Sequence, residues 1–505
     1  MVKTAIGAIT CGLLLACGCT VNVGEVVVHV VASPDPDESP FNRKAGAATV
    51  AIRVDGPDGQ IGPQSFSVDD GAGRLPDVPV GDDQVITIEV LGLEGGEVSL
   101  GRSGPISISA GENELTLFVG LLGQFSLTPA PLSSPPVDAL EDAKMQHARA
   151  FHTATALADG TLMLTGGATQ NWTPQDVNPP AATLAVELMD ENALLFERFD
   201  CEEQPRRCLT QARAGHTATR LPSGNVLITG GTARGANPDD LRKTETYSPD
   251  RKTFFAGTSL ERPRSGHAAA LTGESAVLAG GRAAGEPVFV VESLRQGQLE
   301  GAANMIERRR QFSLVPLSDG ALLAIGGLGQ LDVPVASLEL TRPPFANWQS
   351  EGLPELAVAR AYHATVPLGD DVFLVVGGLT RENGQLVATP SIERIDMKSR
   401  TVTRFAEGLA RGRWAHTATR LRDGRILVAG GYTVSTTGTP SADVELIQLL
   451  DNDRIQKTTT RMKQPRAGHT ATLLRSGLLL IAGGITSAFD RTLRPARTAE
   501  VYVSK

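Results

Sequence analysis

The chain has 505 residues, 41% of them hydrophobic, and a formal net charge of −9 at pH 7. This length is too great for one ordinary hydrophobic core, and the apolar content is too high for an intrinsically disordered chain. The acidic balance argues against a nucleic-acid partner, which would need a basic face. The 54 glycines, with only 20% charged residues, are typical of a turn-rich, all-β protein.

Residues 1–16 have the pattern of an export signal. Lys3 is followed by an apolar stretch, residues 5–16, that is too short to span a bilayer. The stretch ends in Leu14-Leu15-Ala16-Cys17, which resembles a bacterial lipobox, although a small residue is usual in place of Leu15. An ordinary signal peptide with incidental cysteines is the alternative.

The lipobox resemblance implies cleavage before Cys17 and attachment of lipid to its side chain. Acyl chains of this kind hold a protein to a membrane without spanning it. Gly18 follows the cysteine where an aspartate would retain the protein at the inner membrane, so the resemblance implies sorting to the outer membrane. We therefore expect an exported, lipid-anchored protein at the outer membrane or the periplasmic face of the bacterial envelope.

Three further segments are predicted between residues 1–16 and the repeats. Residues 17–45 combine a valine-rich strand with a polar, proline-rich tether, and residues 129–145 form a Pro/Ser linker. Between them, residues 46–128 alternate short strands with Gly/Asp/Pro turns, which predicts a small antiparallel β-sandwich. The run Val78-Pro79-Val80-Gly81-Asp82-Asp83 is similar to sequences in Ig-like or prealbumin-like sandwiches of secreted bacterial proteins.

Seven segments within residues 146–505 share one pattern. In each, an arginine lies three residues before a histidine (a phenylalanine in the fourth), and an apolar strand then ends in a Gly-Gly pair. A repeat of about 50 residues indicates an array of equivalent structural units. The arginines are Arg149, Arg213, Arg264, Arg309, Arg360, Arg413 and Arg466; the histidine position holds His152, His216, His267, Phe312, His363, His416 and His469.

Each repeat predicts four strands. The first is small and apolar, and a tight turn, often with Asp-Gly or Ser-Gly, leads to a second apolar strand. The third strand carries a glutamate in every repeat, and a weaker fourth strand precedes the next arginine. The glutamates are Glu187, Glu245, Glu292, Glu339, Glu393, Glu445 and Glu500.

The Gly-Gly pair and the later Glu-x-Tyr, seen as Glu245-Thr246-Tyr247 and Glu500-Val501-Tyr502, resemble the kelch repeat. The resemblance covers residues 146–505 and implies a β-propeller with one four-stranded blade per repeat. The chain departs from the family in having few aromatic residues. We therefore expect an all-β protein in which the sandwich precedes a seven-bladed kelch-type propeller.

The seventh repeat ends just past its third strand, so its fourth strand must come from another segment. We expect a segment within residues 122–145 to fill that place and close the ring. Closure would remove the exposed sheet edges that otherwise invite aggregation.

Strand direction brings each arginine, Gly-Gly pair and glutamate to the same end of a repeat. Arginine and glutamate then lie two strands apart, roughly 9–10 Å, with only glycines between them. We expect each arginine to pair with a glutamate, within or between repeats, because a charge at a crowded position needs a partner. A ring of anion-binding arginines is the functional alternative.

The repeated histidines are interpreted as packing residues. Spread over six repeats, they are too dispersed to chelate one ion, and Phe312 shows that an apolar ring fits the same space. We expect one ring N–H of each to be hydrogen-bonded to the backbone. Neither a metal site nor another cofactor is predicted.

The cysteines outside the signal region are Cys201 and Cys208, which flank a turn that contains proline. An exported protein lies where disulfides persist, so we expect these two to be bonded. Free thiols are the alternative, and a metal site is disfavoured because no companion His or Cys pair is near.

No catalytic constellation is found in the sequence. The copper chemistry of kelch-type oxidases needs a cysteine crosslinked to a tyrosine, and no mature cysteine lies near one of the four tyrosines. There is no Gly-x-Ser-x-Gly, no His-Glu-x-x-His and no P-loop. A propeller-class oxidase or hydrolase with an unrecognised site stays as the alternative.

Sequence variety is concentrated in the loops after the glycine pairs, the largest being 168–183, 232–243, 379–390, 432–442 and 485–498. Binding residues are common on loops that a rigid scaffold carries. We therefore expect a monomeric, non-catalytic binding protein of the cell surface, whose ligand is a protein or a glycan. Trp172 and Arg234 are the candidate exposed contact residues.

Overall fold

The structure, a computed structural model, describes residues 23–33, 35, 47–57, 59–67, 73–92, 96–129, 144–173, 176, 178–197, 200–235, 240–283, 286–301, 303–434, 438–487 and 492–504. The predicted export signal 1–16, the lipidation candidate Cys17 and most of the predicted linker 129–145 lie outside these residues. The described part is all-β: strands account for its regular structure, with four single-turn 3-10 helices at Pro205–Arg207, Asp240–Arg242, Gln330–Asp332 and Asp451–Asp453.

Two sheets that share one hydrophobic core form the N-terminal unit. Valine and isoleucine alternate along their strands, and Val28, Ile52 and Ile88 are buried where the sheets meet. The first sheet has the order Gly73–Pro79, Val23–Val31 and Gly111–Phe118; the second has the order Gly59–Ser67, Ala47–Gly56, Gly81–Gly92, Glu97–Arg102 and Gly120–Leu121, with Ile106–Ile108 also pairing with Gly81–Gly92.

The N-terminal unit differs from the predicted antiparallel sandwich of residues 46–128 in two ways. Val23–Val31, assigned above to the anchor segment, is the central strand of its first sheet. This strand also runs parallel to Gly111–Phe118, with Gly24 opposite Gly111 and Val31 opposite Phe118. Both strands therefore end on the same side of the unit, which is the side that contacts the repeats.

The seven repeats form seven four-stranded antiparallel sheets among the described residues. In the first six sheets the strands follow one another in chain order. The first sheet contains Thr153–Ala156, Thr161–Thr165, Val186–Asp190 and Phe196–Glu197; the second contains Thr217–Arg220, Val226–Thr229, Lys243–Ser248 and Thr253–Ser259; the third contains Ala268–Thr272, Ser275–Ala279, Glu292–Arg295 and Gln298–Gly301. The fourth contains Ser313–Pro316, Leu322–Ile325, Leu338–Thr341 and Trp348–Gln349; the fifth contains Ala364–Gly369, Val372–Val376, Ile392–Asp396 and Thr401–Arg404; the sixth contains Thr417–Arg420, Ile426–Ala429, Ser441–Leu450 and Arg454–Arg466. The second strands are almost wholly buried, as their apolar sequences predict.

The seventh sheet takes its outer strand from the segment that precedes the repeats. Its order is Phe125–Leu127, Ala499–Tyr502, Leu479–Ala482 and Thr470–Leu473. Phe125 lies opposite Tyr502, and the two rings are 5.1 Å apart. The pairing segment lies within the expected window of residues 122–145. It joins the start of the repeat region to its end.

The sheets have two ends, which we name for what they carry. The loop face carries the arginines, the Gly-Gly pairs, the glutamates and the loops that follow the pairs; the turn face carries the tight turns. Three two-stranded hairpins extend loops of the loop face: Arg282–Ala283 with Glu286–Pro287, Leu379–Glu382 with Gln385–Ala388, and Ile485–Ser487 with Leu493–Pro495.

A closed circle of seven backbone hydrogen bonds joins the repeats at the loop face. The residue two positions after each repeat arginine donates its N–H to the carbonyl of the equivalent residue in the preceding repeat, at 2.8 to 3.3 Å. Each of these residues has a φ between 51° and 62°, a left-handed conformation that turns its amide toward its neighbour. The members are Phe151, Gly215, Gly266, Gln311, Tyr362, Ala415 and Gly468.

The N-terminal unit packs against the turn face of the first and seventh repeats. The Asn192 carbonyl accepts the N–H of Phe118 at 2.9 Å, and its side-chain oxygen accepts the N–H of Gly104 at 2.8 Å. Val31 and Phe118 share a buried core with Leu480 and other residues of the repeats. The loop face is therefore on the far side of the repeats from the N-terminal unit. Within the described residues no helix has the length and hydropathy of a membrane span.

Candidate functional site

Each repeat arginine is engaged inside its own repeat through both terminal nitrogens of its guanidinium group. Its Nη2 donates to the glutamate of the third strand, as in Arg149–Glu187 at 2.6 Å and Arg213–Glu245 at 2.7 Å. Its Nη1 donates to the carbonyl of the first glycine of the pair, at 2.8 to 3.2 Å in all seven repeats. The other pairs are Arg264–Glu292, Arg309–Glu339, Arg360–Glu393, Arg413–Glu445 and Arg466–Glu500.

In each repeat the arginine, its glutamate and the Gly-Gly pair form one hydrogen-bonded unit, which we call a corner. Each glutamate accepts the backbone N–H of the residue three positions before its arginine, at 2.5 to 2.9 Å. The carbonyl of each arginine accepts the N–H of the second glycine of the preceding repeat, and the bond from Gly484 to Arg149 joins the seventh repeat to the first. All seven arginines and glutamates are at most 2% exposed. The corners are therefore structural, and no anion could reach their guanidinium groups.

Burial and pairing act in opposite directions on the charged groups of the corners. Burial, the largest single effect, would raise the pKa of Glu187, but the Arg149 guanidinium and the hydrogen bonds from His147 and Gln146 together outweigh it, and the pKa is lowered. Burial lowers the pKa of Arg213, and Glu245 opposes this shift. The compensation explains why these charges persist in the interior.

The repeated histidines join neighbouring repeats. His216 Nε2 lies 3.1 Å from the Thr153 hydroxyl of the preceding repeat, and His152 Nε2 lies 3.1 Å from Thr470 of the seventh. His267, His363 and His469 make the same contact with Thr217, Ser313 and Thr417. Nε2 contacts a hydroxyl because the first strands present hydroxyls at this level, and a hydroxyl serves as donor or acceptor. His216 and His363 also contact the backbone of Arg213 and Arg360, as the sequence predicts.

Two repeats depart from this pattern for one physical reason. Phe312 replaces histidine where the preceding repeat presents Ala268 in place of a hydroxyl residue. His416 keeps its ring, yet the preceding repeat presents Ala364, and neither ring nitrogen has a hydrogen-bond partner among the described residues. Histidine is therefore found where the preceding repeat offers a hydroxyl, and phenylalanine where it does not. His416 is the exception.

The candidate contact residues have different surroundings. Trp172 is only 5% exposed, so the expectation that it is an exposed contact is wrong. Its ring packs edge-on against Phe151 at 5.5 Å, and its Nε1 donates to the Asn178 carbonyl. Arg234 is exposed on the loop face and donates to Gln170 at 3.3 Å.

Cys201 and Cys208 form a disulfide between the fourth strand of the first repeat and the next arginine. Cys208 is buried in the core that the first and second repeats share, and Cys201 packs against that core. The bond therefore fixes a connection at the loop face. No group of three or more metal-ligating side chains occurs in the part of the chain that the structure describes.

Large polar and aromatic residues replace small or aliphatic ones at equivalent positions around the hydrogen-bond circle. The residue after the arginine is alanine in four repeats, and the residue after the glycine pair pairs with it by a backbone bridge. Four departures from this pattern lie in the third, fourth and sixth repeats, and Tyr362, a member of the hydrogen-bond circle in the fifth repeat, lies with them. We call Arg282, Arg310, Tyr362, Trp414 and Tyr432 the axial cluster.

The members of the axial cluster contact one another and a nearby loop. Arg310 donates to the Tyr362 hydroxyl at 3.0 Å and to Asp332 at 2.6 Å. The Tyr362 and Tyr432 rings both pack on the Trp414 ring, with centroid distances of 5.3 and 4.6 Å. Burial raises the pKa of Tyr362 to about 12, against the opposing effect of Arg310.

Asp176 of the first repeat lies against this cluster. Arg282 of the third repeat donates to the Asp176 carbonyl at 3.0 Å. The Tyr432 hydroxyl, in the sixth repeat, is buried and has no hydrogen-bond partner among the described residues. Burial raises the pKa of this hydroxyl, and the negative charge of Asp176 adds a smaller effect in the same direction. The sequence did not point to this cluster, because its members are scattered over four repeats. Aligning the repeats and looking for odd residues in each column would have found it.

Exposed apolar side chains are concentrated at the loop face. Of the eight large hydrophobic residues that are exposed in the described chain, five lie there: Leu184, Ile306, Leu331, Val333 and Val434. Leu331 is 84% exposed and has left-handed dihedral angles, φ 57° and ψ 27°. The next residue, Asp332, is tied to the buried Arg310. The axial cluster therefore holds a strained loop that presents Leu331 to solvent, and strain of this kind is common at functional sites.

Comparisons with known proteins leave the family open. No family model matches the chain, and no curated protein matches it. Among solved structures, the chain is similar to one described as "Structure of YjhT", with 12% sequence identity and a TM-score of 0.46. That similarity covers 62% of this chain and 99% of the other. The function must therefore be argued from the geometry of this chain alone.

Proposed function

We propose that this chain is a seven-bladed, kelch-like β-propeller that binds a protein partner at the bacterial cell envelope through its loop face, without catalysis. The closed circle of seven hydrogen bonds and the shared seventh sheet support the ring architecture. The family resemblance rests on the repeat sequences given above.

One observation carries the binding proposal: the departures from sevenfold symmetry meet at the loop face. The corners are uniform, which is what a scaffold requires. The axial cluster and the exposed side chains of Leu331, Val333 and Val434 break that uniformity on one side of the repeats. An exposed apolar group on a fixed loop is typical of a protein-binding surface, where a few apolar anchors supply most of the binding energy. A protein partner therefore fits this face better than a neutral glycan does.

The direction of Val23–Val31 fits a membrane anchor that leaves the loop face accessible to a partner. This strand starts far from the repeats and ends at Val31, which packs against them. Nine residues of strand span about 30 Å. A lipid on Cys17 would therefore attach at the distal end of the N-terminal unit, with the loop face directed away from the membrane. In this proposal Cys17→Ala moves the protein from the membrane fraction to the soluble fraction, which cell fractionation measures; an unchanged distribution would contradict the anchor.

Site-specific photo-crosslinking tests the binding face. A photoreactive residue is placed at Leu331 or Val434 on the loop face, and at Leu450 as a control that is exposed elsewhere. The proposal predicts the same crosslinked partner from both loop-face positions in intact envelopes, and none from position 450. Equal crosslinking from all three positions would contradict it.

A propeller-class enzyme is the second candidate, because the buried Tyr432 hydroxyl has no hydrogen-bond partner among the described residues. A buried polar group without a partner is costly in a protein that only needs stability. On this view the hydroxyl would contact a substrate beneath loop 168–183. Tyr432→Phe separates the two candidates: it would abolish turnover in an enzyme, and it leaves the binding of a protein partner at Leu331 unchanged in the first proposal.

A further inference from the structure

A cleft of about 850 Å³ lies between the sixth and seventh repeats. Thr433 and residues 439–442 form one wall, and the outer strands of the two repeats form the others. Four hydroxyl residues line it, namely Thr433, Thr439, Ser441 and Thr460, and three cationic residues, namely Arg411, Arg461 and Lys463. Asp443 is the acidic residue in the lining. The cleft is therefore polar, hydroxylated and cationic, in a chain whose net charge is −9.

The sixth repeat departs from the others in a way that produces this cleft. Its outer hairpin consists of Ser441–Leu450 and Arg454–Arg466, of 10 and 13 residues, whereas the other outer strands have two to seven. The register shifts between Asp443 opposite Arg461 and Ser441 opposite Arg466. The residues between them leave the ladder, and the space they open is the cleft.

The outer strand of this hairpin supplies positive charge and no negative charge. Arg454, Lys457, Arg461 and Lys463 lie along it, and its last residue, Arg466, is engaged in a corner. Arg461 is 73% exposed and lies 3.6 Å from Asp443. Arg411 is exposed on the opposite rim and makes no hydrogen bond or ion pair with the described residues. Arg411 and Arg461 therefore present exposed positive charge to the cleft, which attracts an anionic ligand.

We propose that this cleft binds an acidic oligosaccharide, a hydroxylated chain that carries carboxylate, sulfate or phosphate groups. The four hydroxyl side chains can donate to and accept from sugar hydroxyls, and the cations match the anionic groups. The volume lies within the range of small-molecule sites and exceeds what one sugar ring fills. Phe125 and Met462, the large apolar residues of the lining, are themselves buried, which disfavours an apolar peptide side chain as the occupant.

The cleft adjoins the loop face at Thr433, which lies beside Val434. Leu331 and the axial residues Arg310 and Tyr362 belong to the fourth and fifth repeats, whereas the cleft is built by the sixth and seventh. A ligand in the cleft therefore leaves Leu331 accessible. The two proposals can fail independently.

Isothermal titration of the full chain with oligogalacturonate tests the cleft, with three further ligands as comparison: its methyl ester, a sulfated oligosaccharide and a poly-glutamate peptide. The test variant combines Arg411→Gln, Arg461→Gln and Lys463→Gln. The control variant combines Arg251→Gln, Arg262→Gln and Arg381→Gln, which removes the same charge from exposed positions outside the cleft. Arg262 occupies in the third repeat the position of Arg411 in the sixth.

The proposal predicts that an anionic oligosaccharide binds the unmodified chain, that the methyl ester does not, and that the test variant binds about tenfold more weakly or worse. The control variant stays within about twofold of the unmodified chain. Binding of either the carboxylated or the sulfated oligosaccharide supports the proposal, and the ratio of their two affinities shows which anionic group the cleft prefers. Equal weakening by test and control variants would overturn the site, as would binding of poly-glutamate alone. Unchanged crosslinking at Leu331 in the test variant shows that a failure here is distinct from a failure of the protein-binding proposal.

Discussion

At the scale of single residues, a repeat histidine forms a hydrogen bond between repeats where the preceding repeat offers a hydroxyl. His469 contacts Thr417 at 2.9 Å, and no other hydrogen bond of that hydroxyl is seen among the described residues. His416 faces Ala364 and has no partner. Phe312 is the apolar solution to the same problem. Residues that occupy equivalent positions in an alignment of the repeats therefore have different hydrogen-bonding surroundings.

Replacing two equivalent histidines by phenylalanine should have different consequences. His416→Phe removes two buried nitrogens without partners, so we expect the free energy of unfolding to stay equal or rise by up to about 1 kcal/mol. His469→Phe leaves the Thr417 hydroxyl without its partner, and we expect a loss of about 1–2 kcal/mol. Urea denaturation of both variants measures the difference. A larger loss for His416→Phe than for His469→Phe would contradict this account.

The corner arginines should be essential for stability. Arg213→Met leaves Glu245 charged and buried without its partner, and breaking such a pair costs about 3–5 kcal/mol. Arg262→Met is the matched control, since Arg262 is exposed and lies two residues before an equivalent arginine. Its effect should stay within about 0.5 kcal/mol. A thermal melt compares the two, and an unchanged midpoint for Arg213→Met would show that the corner pairing does not stabilise the fold.

At the scale of elements, the repeat pattern predicted strands and corner residues well, since spacing along a strand determines which side chains share an end of it. The hydroxyl partners of the histidines were missed, because they lie in the preceding repeat and depend on packing between sheets. The parallel pairing of Val23–Val31 was also missed, since a valine-rich strand carries no signal for the direction of its neighbour. The axial cluster has no local motif at all.

The outer strand of the seventh sheet should be essential although it contains three residues. Phe125 is 2% exposed and packs on Tyr502, so Phe125→Ala should lower the free energy of unfolding by about 3–5 kcal/mol. Phe255 lies in the outer strand of the second repeat and is 45% exposed. Phe255→Ala should therefore cost well under half as much. Similar losses in the two variants, measured by denaturant unfolding, would argue against a special role for the closing strand.

At the scale of the whole molecule, the repeated histidines make the fold sensitive to acid. Burial lowers the pKa of His216, His363 and His469 to about 3, and like charge from the nearby arginine adds to this effect. In the unfolded chain these groups bind protons below about pH 6.5. Stability is therefore fully present above pH 6.5 and falls as the pH drops toward 3, by up to about 1.4 kcal/mol per pH unit for each histidine.

Denaturant unfolding at pH 7, 6 and 5 tests this dependence. The free energy of unfolding should fall steadily over that interval in the unmodified chain. His416→Phe should reduce the slope by about one proton, because burial also holds the pKa of His416 well below its usual value. An unchanged slope in that variant would mean that the histidine is protonated equally in the folded and unfolded states.

The measurement that tests the central claim most directly is the affinity of the crosslinked partner for two double variants of the full chain. Leu331→Asp with Val434→Asp alters the loop face, and Leu450→Asp with Phe255→Asp alters exposed apolar residues elsewhere. Apolar anchors at an interface commonly contribute 2 kcal/mol or more, so the first variant should bind the partner about thirtyfold more weakly. The second should bind as the unmodified chain does. Equal binding by both variants would contradict the assignment of function to the loop face.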